Sequence, residues 1–81
     1  MDLKNRKVIL FRTHIDPVIP GAGPKNAFDV KKIGGKAETA EQGIWFSIPI
    51  KQKDGTFEDQ EHLIPYSNVQ AVRLEPKTKD K

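Results

Sequence analysis

Six side chains in this sequence carry the chemistry that a polyanion calls for: Arg12, Lys25, Lys31, Lys32, Lys36 and Trp45. Cationic side chains hold phosphate oxygens and release their counterions, and an indole offers a flat face on which a base can stack. Trp45 is the better candidate for an exposed ring, with Tyr66 second. Composition alone does not make a site of them. Lysines on a small domain usually form a solvated surface, and a tryptophan can equally cap a core.

The distribution of charge strengthens the first reading. The net charge is only +3, but residues 1–36 hold eight bases against three acids, whereas residues 37–75 hold three bases against seven acids. A chain folded with its first strands side by side would carry a basic face, which attracts phosphates. Asp54, Glu58, Asp59 and Glu61 form an acidic stretch opposite in sign. Such a dipolar molecule suits head-to-tail homo-oligomers or a protein partner, although charges of this kind also keep strand edges from aggregating.

Other chemistries find less support. Cysteine is absent, which removes disulfides, thiolate metal sites and cysteine nucleophiles. His14 and Asp16 are two apart, but neither His62 nor any other residue supplies a third ligand at a metal-binding spacing. Ser47 and Ser67 lack a nucleophile-elbow context, and neither Gly21-Ala22-Gly23 nor Gly34-Gly35 precedes a helix with Lys-Ser/Thr. The expectation is a binding protein without enzymatic activity, cofactor or metal. No apolar run approaches the roughly 20 residues that span a bilayer, and the start has no secretory signal, so no membrane partner and a cytoplasmic location are expected.

The elements that must position the six residues read mostly as strands. Lys7–His14 is β-branched and aromatic, with apolar groups on both faces, as a central strand has. Asp16–Pro24 holds three prolines and two glycines in nine residues and reads as a long irregular loop. Ala27–Ile33 alternates and predicts a second strand closed by Gly34-Gly35. Lys36–Gln42 has helix-forming composition but is too short for a stable helix, which predicts a loop or a single turn. In Gly43–Ile50, Ile44, Phe46, Ile48 and Ile50 share one face at period two, and Pro49 places its surroundings at an edge or bulge. Asp54-Gly55 predicts a tight hairpin with positive φ at both residues, leading into a strand around Glu61–Ile64. After a one-turn break at Pro65–Asn68, Val69–Leu74 is the last strand. The expected core comprises Val8–Phe11, Phe28, Val30, Ile33, Ile44–Phe46, Ile48, Ile50, Leu63, Ile64, Val69, Val72 and Leu74.

The expected fold is therefore all-β: a five-stranded, partly open barrel over residues 1–76, with one short 3₁₀ turn and a flexible basic tail at 77–81. Leu63-Ile64-Pro65-Tyr66-Ser67-Asn68-Val69 resembles the strand, 3₁₀ turn, strand junction of small SH3-like and Sm-like barrels. In make-up, a compact, cysteine-free, tailed chain of this size is similar to phage accessory proteins. Two functions follow as expectations. One is nucleic-acid binding through Arg12, Lys25, Lys31, Lys32 and Lys36 with Trp45 as stacker. The other is a protein-interaction module that docks on a larger host or viral protein through the Pro/Gly loop or a strand edge.

Overall fold

The computed structural model describes residues 5–20, 22–23 and 25–76; the expected basic tail at 77–81 lies outside them. Within them run β1 (Val8–Thr13), β2 (Ala27–Asp29), α1 (Val30–Ile33), β3 (Lys36–Thr39), β4 (Gly43–Lys51), β5 (Phe57–Pro65), a 3₁₀ turn (Tyr66–Asn68) and β6 (Val69–Leu74). The strands form two antiparallel three-stranded sheets, ordered β2-β1-β6 and β3-β4-β5. The mostly-β expectation and the 3₁₀ turn hold. Six strands replace the expected five, and neither sheet closes on itself.

Both differences arise between residues 27 and 42. The expected strand over Ala27–Ile33 stops at Asp29, whose carboxylate accepts a hydrogen bond from the Lys32 backbone N–H and so caps α1. Gly34 ends the helix with φ 85°, donating its N–H to the Lys31 carbonyl, while Gly35 donates to Val30. The expected loop over Lys36–Gln42 is instead the strand β3. Its helical composition is overridden by pairing with β4 in the register Lys36↔Ser47 to Thr39↔Ile44, which buries Ala37 and Thr39.

β4 is the longest central strand. Its inward stripe of Ile44, Phe46 and Ile48 is buried, as the period-two spacing requires. The backbone groups of residues 43, 45 and 47 alternate toward β3, and β3 ends opposite Ser47, so Pro49 falls where no β3 partner needs its missing N–H. The hairpin after β4 is looser than a two-residue turn. Gly55 alone takes positive φ (89°), and Asp54 accepts hydrogen bonds from both the N–H and the hydroxyl of Thr56. Those bonds, the hydroxyl first, hold the Asp54 carboxyl below its usual pKa.

The core lies where the two sheets face each other. Phe11 of β1 stacks on Phe28 of β2 at 4.8 Å between ring centroids, and Phe46 of β4 meets both edge-on at 5.4 and 5.9 Å. Ile19 from the long loop and Ala37 from β3 join this core unforeseen, whereas Leu63 and Val72 stay largely outside it. Little backbone joins the sheets: an isolated bridge pairs Lys7 with Glu38, and Asn5 and Arg6 exchange hydrogen bonds with Thr39. The ring cluster must therefore carry much of their association. Phe46→Ala should cost about 3–5 kcal/mol of unfolding free energy in a denaturant titration; a loss below about 1 kcal/mol would mean that the sheets hold together without it.

Candidate nucleic-acid interface

The chain reversal after α1 builds the site. Gly34 turns the backbone, and Gly35 passes so close to β4 that a Cβ there would lie 2.6 Å from the Ser47 carbonyl oxygen and 3.1 Å from the Phe46 ring. Only a glycine allows this crossing. It leaves Lys31, on the last turn of α1, and Lys36, at the start of β3, on one open cleft of about 520 Å³. Lys7 reaches the same cleft from the segment before β1. Val8, Ile9, Val30 and Ala37 give it an apolar lining, and Gly35, Glu38 and Glu75 complete it.

The outer face of β3-β4-β5 continues from this cleft. Lys36 and Glu38 point outward from β3, opposite Ser47 and Trp45 of β4. Lys36 is thus the diagonal neighbour of Trp45, within about 7–8 Å along the sheet. Leu63 of β5 flanks Trp45 on the other side and is 51% exposed. The indole is half-buried and its orientation is fixed, because Nε1 donates a 2.8 Å hydrogen bond to Oε1 of Glu61. Lys31, Lys36 and Trp45 therefore form one contiguous strip, with cations at the cleft and the ring at its far end.

The other expected residues are placed elsewhere. Lys32 is exposed on α1 outside the cleft lining. Arg12 is exposed on β1, between Ala27 of β2 and Ala71 of β6. Lys25 leans over the Phe28 ring, its ammonium 5.8 Å from the centroid, and so covers the core. Tyr66 is tied down, its hydroxyl donating to the Ala40 carbonyl at 2.6 Å. No local pattern marks Lys7 and Glu38 as a pair, since the bridge that joins them is non-local and the composition of Lys36–Gln42 does not favour a strand. The outward alternation of Lys36 and Glu38 was the one available signal.

The long loop forms a second exposed feature. Asn68 fastens it to the 3₁₀ turn, accepting from the Ile15 N–H and donating to the Ile15 carbonyl, both at 2.9 Å. Beyond that clamp Val18 adopts φ 58°, an unusual conformation for a β-branched residue, and it is 78% exposed.

Among the described residues, no group of three or more His, Asp or Glu side chains is placed to hold a metal, and no helix is long and apolar enough to cross a membrane. Comparison with known protein families, curated proteins and solved structures finds no match to this chain.

The Trp45–Glu61 bond has a direct readout. Glu61→Ala should speed solvent exchange of the Trp45 indole proton several-fold in NMR while the backbone amides of β4 keep their protection. Unchanged exchange would show that the carboxylate does not hold the ring.

Proposed function

We propose that the protein is a non-enzymatic binding module for single-stranded nucleic acid. The observation that carries this reading is the meeting of Lys7, Lys31 and Lys36 at one cleft, with Trp45 diagonal to Lys36 on the same sheet face. Cations hold successive phosphates, and the indole receives a base; this pairing of a charged groove with a stacking ring suits a single strand. Lys32, next to Lys31 on α1, adds charge beside the cleft, whereas Arg12 on β1 takes no part in it. The acidic edge of β5, with Glu58, Asp59 and Glu61, repels phosphates from the far side of Trp45 and so fixes which way the strand lies. The order of strands around the 3₁₀ turn supports an SH3-like architecture, in which this strip is one outer face.

A second reading rests on a separate observation. The strained, exposed Val18 and its exposed neighbour Ile15 lie on a loop that Asn68 clamps in place. Backbone strain held by surrounding structure is a mark of functional loops, and an apolar tip on a rigid base suits a protein partner. In this reading the protein is a phage-type accessory factor docking on a larger host or viral protein.

A salt titration tests the first reading. With three phosphates neutralised, log affinity for a short single strand should fall against log salt with a slope of about −2. Lys31→Glu with Lys36→Glu should abolish binding while lowering the melting temperature only slightly, since both side chains are exposed. Binding that survives this double reversal would remove the cleft from the mechanism.

A further inference from the structure

The lysines and the indole account for phosphates and a stacked ring, but they leave Glu38 without a role. A carboxylate inside a phosphate site repels its ligand unless it meets a different part of it. Glu38 lines the cleft beside Lys36 and is the directly opposed cross-strand partner of Trp45. Opposed residues on one sheet face have Cβ atoms about 4.5–5.5 Å apart. A planar ring stacked on Trp45 therefore turns one edge toward Glu38. Of the other carboxylates, Glu61 is already engaged by the indole N–H, and Glu75 lines the cleft from the residue after β6 rather than from opposite Trp45.

An ionised carboxylate only accepts hydrogen bonds, through two oxygens that match two parallel donors. Among the bases, guanine presents that pair on its Watson–Crick edge, N1–H beside the N2 amino group. Adenine and cytosine offer one amino group next to a bare ring nitrogen. Thymine and uracil set a single N–H between two carbonyl oxygens, which a carboxylate repels. We propose that this site selects guanine: the base stacks on Trp45, its N1–H and N2 amino donate to Glu38, and the flanking phosphates lie on Lys36 and Lys31. In a duplex those donors are consumed by pairing, so the same contact requires an unpaired strand. The inference rests on the nucleic-acid reading of the cleft and adds to it the base that the site takes.

The test compares a short dT strand with the same strand carrying one central dG, in a lithium buffer at low salt, by fluorescence anisotropy. The dG strand should bind about tenfold tighter, the scale of one bidentate base contact. Glu38→Gln, isosteric but uncharged and able to present only one acceptor, should keep the melting temperature and bind the dT strand at least as tightly, the repelling charge being gone, while losing most of the preference for dG. Replacing dG by deoxyinosine, which lacks the N2 amino group, should give an intermediate affinity. Equal binding of dG and dT strands by the unmodified protein would overturn the proposal while leaving strand binding in place, as would a guanine preference that survives Glu38→Gln. Failure to bind either strand would overturn the nucleic-acid reading, and guanine selection with it.

Discussion

Phe11 and Phe28 reach from one sheet to Phe46 of the other, and this ring cluster joins two sheets that share little backbone pairing. Aromatic pairs in stacked and edge-on geometry add to the area they bury, and here they do so between side chains from both sheets. The seam from Asn5 to Lys7 along Thr39 and Glu38 then sets how far the sheets part. The cleft is the opening that this arrangement leaves between the Lys7 segment, α1 and β3. Its width follows from core packing and from this seam, in which the backbone of Lys7 itself takes part.

Placement of the charges follows from local backbone chemistry. Asp29 starts a single turn of helix and Gly34 stops it, so Lys31 and Lys32 sit at the helix C-terminus, where cations are favoured. Gly35 then lets the chain cross β4 at a distance no other residue tolerates, which brings Lys36 round to face Lys31. On the opposite flank β5 is an edge strand whose carboxylates discourage strand addition. One device shapes the cleft and the other protects an edge, and together they make the molecule dipolar. Trp45 stands on the boundary between the two signs, with Lys36 diagonal to it and Glu61 holding its indole.

How much of this is legible in the sequence depends on whether the signal is local. The β1 segment and the stripe Ile44, Phe46, Ile48 declare themselves, because burial on a pleated sheet repeats every second residue. Val69–Leu74 and the turn before it are equally local. β3 is not: Lys-Ala-Glu-Thr favours a helix, and only the cross-strand partners supplied by β4 make it a strand. The Asp29 cap and the Gly34 stop were present as signals, but the alternation of Phe28 and Val30 pointed the other way. Ile19 is a single apolar residue among prolines and glycines, and nothing local marks it as a core plug. In the site, Lys31, Lys36 and Trp45 are recognisable by type. Lys7 and Glu38 become part of it only through a contact between distant segments, and Arg12 and Lys25 share the cations' chemistry but stand outside the cleft.

The account's central claim is that Lys31, Lys36 and Trp45 act as one surface. The most direct test is an amide and indole NMR map recorded while a short single strand is added at low salt. The account predicts shifts concentrated at Lys31, Gly35, Lys36, Glu38 and the Trp45 indole, with Ile15 and Val18 unmoved. A map that leaves those positions still, or that centres on the loop around Val18, would contradict it.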